Sequence, residues 1–287
     1  MLGATAILGL TALSACTRLD ALNGLNAITP GDGETLQLAA DIPFGPHSRQ
    51  MLDIYGPAKP ASAALPVIVF FYGGSWNSGR RQDYGFAARA LAARGFIVVV
   101  PDYRLAPAFA YPSFVEDGAA AVAWTAANIG KHGGDARRIG ASGHSAGAYI
   151  AVLLALETAW LAKAGAPGAI KAGVGLAGPY DFLPFEPNGA ADIAFGQWRD
   201  LKATQPITHV RADAPPLLLL AGDDDDVVFA HNGKNLAAAL TARGAPVTLK
   251  SYPGIGHIGI LLALSKPFRG KASALTDTAD FFARHLG

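Results

Sequence analysis

Residues 138–161 read RIGASGHSAGAYIAVLLALETAWL, and the change of pattern inside this stretch decides the fold. Arg138–Gly143 leads into a turn and stands where the preceding strand is expected. Ser145–Leu161 is long and apolar enough for a buried helix. Between them stands Gly143-His144-Ser145-Ala146-Gly147, a G-x-S-x-G run at a strand-to-helix junction. The reason for that composition is steric. A serine on so sharp a turn holds a strained backbone, and a glycine on either side lets strand and helix approach. The turn lifts the hydroxyl above the sheet at a helix N-terminus, where the dipole favours developing negative charge. Ser145 is therefore a candidate nucleophile.

Working outward, short apolar runs alternate with helical stretches. Leu65–Tyr72 (LPVIVFFY), Phe96–Pro101 (FIVVVP), Ala172–Ala177 (AGVGLA), Leu217–Ala221 (LLLLA) and Val247–Tyr252 (VTLKSY) read as strands. Asp83–Arg94, Ser113–Ile129 with Ser113 as N-cap, Phe229–Arg243 and Ser273–His285 read as helices. Strands apolar on both faces belong to a parallel sheet covered on both sides, and strand–helix alternation gives right-handed crossovers. The expected fold class is α/β: a doubly wound, mostly parallel sheet with helices on both faces. Asp41–Tyr55 is expected to add an antiparallel piece at one edge. Gly178–Pro216 is the longest stretch without a strand and holds Phe182, Phe185, Phe195 and Trp198. It reads equally as a cover over a pocket or as a surface excursion packing its own aromatics.

The 287-residue length and 51% apolar content suit one large core, with no linker inside residues 36–287, which are taken as a single domain. Residues 17–35 have little apolar periodicity and read as a tether. The formal net charge is +1, and no Lys/Arg run exceeds the pairs Arg80-Arg81 and Arg137-Arg138. A nucleic-acid binder would carry a basic stripe, so that class is excluded. The one cysteine, Cys16, rules out an intrachain disulfide and a thiolate metal site.

A serine nucleophile needs a base. In doubly wound sheets functional groups lie at the C-terminal ends of strands, and in this arrangement the order is nucleophile, acid, base. Of seven histidines, His47 and His132 precede Ser145, and His144 lies inside the turn and points elsewhere. His231 and His285 fall in helices, and His209 precedes the Leu217 strand. His257 follows the last strand in a Gly254-Ile255-Gly256-His257 loop and is the base. The acid belongs just after Leu217–Ala221, where Asp223, Asp224, Asp225 and Asp226 stand together. Four adjacent carboxylates repel, so some should face water. A calcium loop would space its oxygens over more residues, and no metal or cofactor is expected. The turn after the Leu65 strand, Tyr72-Gly73-Gly74-Ser75-Trp76, should supply two backbone N–H groups, joined by that of Ala146, for a tetrahedral oxyanion.

These pieces together resemble the α/β-hydrolase esterases of the hormone-sensitive-lipase-like and feruloyl-esterase-like branch. The matching segments are Leu52-Asp53-Ile54-Tyr55, Gly73-Gly74-Ser75-Trp76, Asp102-Tyr103-Arg104-Leu105-Ala106-Pro107, Gly143–Gly147, Asp213-Ala214-Pro215-Pro216 and Gly222–Val227. The resemblance implies Ser145, Asp225 and His257 as a catalytic triad, with Asp224 and Asp226 as the alternatives to Asp225. It implies Gly74, Ser75 and Ala146 as oxyanion donors. Two positions depart from the branch's His-Gly-Gly-Gly: Tyr72 replaces the histidine and Ser75 the last glycine. Tyr72 is expected to support the turn through its hydroxyl, and Arg104 to tie loops together. The implied reaction is hydrolysis of small carboxylic esters with short to medium acyl chains through an acyl-enzyme. Trp76, Phe195, Trp198 and Ile258 are the candidate pocket residues. An amidase or arylformamidase would use the same triad, and a non-catalytic binding relative would have lost one of its members. At the N-terminus, uncharged Leu2–Ala15 ends in Leu13-Ser14-Ala15-Cys16, which resembles a bacterial lipobox. That implies a 1–16 signal segment, lipidation of Cys16 and attachment to a membrane of the cell envelope, although no basic residue follows Met1. A cytoplasmic chain is the alternative.

Overall fold

Strand burial dictates strand position. The computed structural model describes residues 24–25, 29, 31–59 and 61–287. The 1–16 segment with Cys16 and most of the expected tether lie outside the described residues. Among the described residues the strands are β1 (Thr35–Pro43), β2 (Met51–Pro57), β3 (Leu65–Phe71), β4 (Ile97–Pro101), β5 (Gly134–His144), β6 (Ile170–Leu176), β7 (Leu217–Gly222) and β8 (Val247–Tyr252). They form one sheet in the order β1-β2-β4-β3-β5-β6-β7-β8. Every residue of Val67–Phe71 and Ile97–Pro101 is buried, so β3 and β4 can only be central. Strand β1 is half-exposed along its length and takes one edge, while β8 takes the other. From β4 to β8 the strands are parallel, and β2 is antiparallel to both β1 and β4. The expected antiparallel edge is thus a pair of strands, longer at both ends than Asp41–Tyr55.

Two helical layers close the sheet. Helices Ser113–Asn128 and Ala146–Leu156 pack on one face, and Gly85–Ala92 and Ala274–Leu286 meet over the other. On that second face β5 admits Phe282 because Gly140 has no side chain: a Cβ there would run into the ring. Several boundaries differ from expectation. The Ser145–Leu161 stretch is two helices, Ala146–Leu156 and Thr158–Lys163, parted at Glu157 with φ −95° and ψ 99°. Glu157 turns outward to accept the Trp160 indole N–H, so polar contacts end an otherwise buried helix. Ser113 is the first helical residue rather than the cap, and no side chain caps that end. Residues 81–84 form a 3₁₀ turn before helix Gly85–Ala92, and the helix expected from Phe229 begins at His231.

Arg81, in that 3₁₀ turn, joins the antiparallel edge to the parallel sheet. Its buried guanidinium pairs with Asp102 after β4, with Asp41 on β1, and with Asp53 on β2 at 2.8 Å. Asp53 and Asp102 are only 1% and 6% exposed, so each depends on this cation. Removing one partner of a buried pair leaves uncompensated charge, at about 3–5 kcal/mol. Arg81→Met should lower unfolding stability by about that amount in urea titration. A loss within about 0.5 kcal/mol, the ordinary surface value, would remove Arg81 from this role.

Candidate active site

The position of Ser145, the candidate nucleophile, follows from two glycines. A Cβ on Gly147 would strike the carbonyl oxygens of Phe71 and Tyr72, and one on Gly143 would strike the backbone of Gly147. Their absence lets helix Ala146–Leu156 start in backbone contact with β3 and β5. Ser145 between them is forced to φ 55° and ψ −123°, with its N–H bonded to the Leu176 carbonyl at 2.9 Å. A non-glycine residue there stores of order 1–3 kcal/mol of strain.

The Ser145 hydroxyl lies 2.9 Å from His257 Nε2, and His257 Nδ1 lies 2.9 Å from Asp225 Oδ2. A carboxylate only accepts, so Nδ1 carries the proton and Nε2 presents its lone pair to the serine. The other oxygen, Asp225 Oδ1, accepts the N–H groups of Val227 at 3.0 Å and Val228 at 2.8 Å. Asp225 alone of the four aspartates is buried; Asp223, Asp224 and Asp226 face water. Burial pushes the Asp225 pKa up, but the hydrogen bonds from His257 and from the Val228 and Val227 N–H groups, with the imidazole's charge, hold it below the usual carboxylate value. The two loops are zipped together: Asp223 N–H donates to the Tyr252 carbonyl and Asp224 N–H to that of Ile255, both at 3.1 Å. His257 does not sit in an open loop as expected. It is the first residue of the short helix His257–Leu262.

The turn after β3 is held open by positive φ angles of 138°, 50° and 59° at Gly74, Ser75 and Trp76. Tyr84 Oη accepts the Gly73 N–H at 3.1 Å, and Tyr103 Oη donates to the Tyr72 carbonyl at 2.9 Å. Tyr72's own hydroxyl instead accepts from Arg49 at 2.6 Å, so its support of the turn is indirect. The N–H groups of Ser75 and Ala146 meet no protein acceptor among the described residues, and both residues border the cavity at Ser145. Arg104 bonds Asp117 and the Ser113 carbonyl, tying the loop after β4 to helix Ser113–Asn128.

A cavity of about 360 Å³ opens at Ser145. Trp76 forms one wall, and Phe182, Phe185, Val227, Val228 and Phe229 form much of the rest. Of the four expected pocket residues only Trp76 is there. Phe195 is 1% exposed and lies behind Trp76, ring centroids 4.8 Å apart, as core. Trp198 packs edge-on against Tyr111 and faces outward. Ile258 is half-exposed on the outer side of its helix, since the residue after His257 turns away from the site. The segment 178–216 does cover the pocket, through Pro179–Glu186 and Ala190-Ala191. The signal missed in the sequence was adjacency: Val227–Phe229 begin two residues after Asp225. Among the described residues no cluster of three or more His, Cys, Asp or Glu side chains could hold a metal ion.

Comparison with known proteins agrees with this architecture. A family model described as BD-FAE matches residues 52–240. Esterase LipC of Mycobacterium tuberculosis is 31% identical over 75% of this chain and 58% of its own length. Esterase LipQ of the same organism is 31% identical over 86% of this chain and 63% of its own. The chain thus spans about three-fifths of these relatives. The solved structure of Esterase B from Lactobacillus rhamnosis superposes with a TM-score of 0.80 at 19% identity, covering 97% of this chain and 96% of that one. The fold is that of the α/β-hydrolase esterases.

The depressed Asp225 pKa has a thermodynamic consequence. A carboxyl group whose pKa falls on folding contributes stability above its unfolded value, 3.8, and loses it as pH falls through the folded value. Melting temperatures of wild type and Asp225→Asn should therefore differ most near neutral pH and converge below 3.8. A gap that stays constant down to the acid end would contradict the pairing.

Proposed function

The chain belongs to the BD-FAE family, and from that premise we propose that it is a carboxylesterase working through a Ser145–His257–Asp225 triad. One observation carries the reading: an unbroken hydrogen-bond chain from the strained Ser145 through His257 to buried Asp225, at the mouth of a largely apolar cavity. Ser145 Oγ attacks the ester carbonyl carbon while His257 Nε2 takes its proton. Asp225 keeps the imidazole in the required tautomer and offsets the charge of the imidazolium. The carbonyl oxygen, now an oxyanion, accepts N–H groups of Gly74, Ser75 and Ala146. As the tetrahedral adduct collapses, the C–O bond to the alcohol breaks and His257 returns the proton to the leaving oxygen. Water then attacks the acyl-serine by the same route, releasing the acid and restoring the hydroxyl.

The proposed acyl preference is supported by one wall of the cavity. Trp76 backs onto Phe195, Tyr149 and Phe114, so the wall behind it is packed aromatic core. Short to medium acyl groups fit this wall. We also propose that Cys16 carries a lipid and holds the enzyme at the bacterial envelope, supported by Leu13-Ser14-Ala15-Cys16. Intact mass of the mature protein should begin at a lipid-modified Cys16; an unprocessed Met1 would exclude it.

The first test compares p-nitrophenyl acetate, butyrate and octanoate, with matched anilides, on wild type and Ser145→Ala. Wild type should favour the two shorter esters, and Ser145→Ala should lose on the order of 10³-fold or more in kcat. Asp225→Asn should lose roughly 10⁴-fold, because an amide no longer holds the tautomer. Equal turnover by wild type and Ser145→Ala would end the triad reading, and faster anilide than ester cleavage would make the protein an amidase.

A further inference from the structure

We propose that His144, the variable residue of the G-x-S-x-G turn, is a positioning residue that fixes the backbone of His257 and so sets its imidazole over the Ser145 hydroxyl. The proposal rests on the serine-hydrolase reading. Its observation is separate: His144 Nε2 lies 2.9 Å from the carbonyl oxygen of His257, across 113 residues of chain. No other side chain hydrogen-bonds that carbonyl among the described residues. The two rings are 4.8 Å apart and tilted by 44°, so His144 also bears on the base's ring.

Chemistry fixes its form. A carbonyl only accepts, so Nε2 carries hydrogen and donates. Burial, then the neighbouring His257 charge, brings the His144 pKa down to about 3, so the ring is neutral wherever His257 works as a base. That neutrality matters because proton transfer from Ser145 makes His257 cationic, and a second imidazolium at this distance would oppose it. His144 Nδ1 is meanwhile buried without a hydrogen-bond partner among the described residues. A leucine would fill the space with no stranded acceptor, so packing alone does not account for histidine here. The same ring lies against the turn of the proposed oxyanion donors: a Cβ added on Gly73 would come within 2.9 Å of Nδ1. One side chain therefore touches the nucleophile's turn, the base's backbone and the turn of the oxyanion donors.

The test uses the full chain with His144→Leu, which removes the donor, and His144→Gln, which returns an N–H at similar reach. His144→Leu should lose roughly 30- to 100-fold in kcat on p-nitrophenyl butyrate, with KM within about threefold, as expected for a misplaced base. His144→Gln should recover kcat to within about threefold of wild type, by the same positional argument. In ¹⁵N spectra of the wild type, His144 should be a neutral Nε2–H tautomer that does not titrate between pH 8 and 5. A His144→Leu enzyme with wild-type kcat, a Gln variant as slow as the Leu variant, or an Nδ1–H or titrating His144 would each overturn the proposal. Should His144→Leu fail to fold, the Gln variant and the spectrum decide alone. If wild type and Ser145→Ala turn over equally, the serine-hydrolase reading fails instead, and the tautomer measurement tells the two failures apart.

Discussion

The posture of Ser145 depends on one steric permission: backbone may touch backbone where Gly143 and Gly147 have no side chains. The contact with the carbonyls of Phe71 and Tyr72 leaves Ser145 no ordinary conformation, and it takes φ 55°. Such strain persists only when the surroundings over-determine it. Here they do. Every residue of helix Ala146–Leu156 is buried, so the helix cannot slide away to relieve the turn. The hydrophobic burial of the helix stabilises the fold and, through the same packing, holds the nucleophile in a posture it would not choose alone. The mobile alternative, a serine on a solvated loop, would give up both the strain and the fixed distance to His257.

The other two members are held by a different device. Asp225 and His257 follow adjacent parallel strands, β7 and β8, and adjacency brings their loops close without placing them. Placement comes from the main chain. Asp223 and Asp224 donate to the carbonyls of Tyr252 and Ile255, and Gly222 lies where a Cβ would strike the Ile255 carbonyl. The acid is gripped by the Val227 and Val228 N–H groups one turn later. Backbone bonds of this kind do not depend on rotamers, so the carboxylate and imidazole meet in one geometry. That rigidity explains how the chain keeps three exposed aspartates beside the functional one. Only Asp225 has its backbone turned so that the side chain points in.

The sequence made the sheet, its helices and the serine turn legible because each has a local signal: apolar runs, alternation and paired glycines. The order of nucleophile, acid turn and final loop histidine was legible for the same reason. Side-chain direction in irregular segments was not. Phe195 and Trp198 lie in the strandless stretch 178–216 and Ile258 next to His257, but one is core and two face outward. No periodicity exists in such segments to assign a face. His144 shows the same limit from the other side. Its neighbour in sequence is Ser145, and its hydrogen-bond partner is 113 residues away, so no spacing rule could have linked them. The break at Glu157 escaped because apolar composition continues through it, and a polar contact ended the helix.

The pocket and the triad answer to different parts of the chain. Ser145, Asp225 and His257 hang from strand ends, whereas much of the cavity wall comes from Pro179–Glu186 and Val227–Phe229, which belong to no strand. Wall residues can therefore change without moving the sheet. Trp76 is the exception, because it belongs to both. It continues the turn bearing Ser75, and its indole stacks on Phe182 at 5.8 Å and 16°. A group that displaces Phe182 bears on Trp76 and, through it, on the backbone next to the oxyanion donors. On the proposed reading, acyl size is thus coupled to the geometry of charge stabilisation as well as to binding. On that reading a substrate too large for the wall is penalised in the transition state, where misplaced N–H donors lose most.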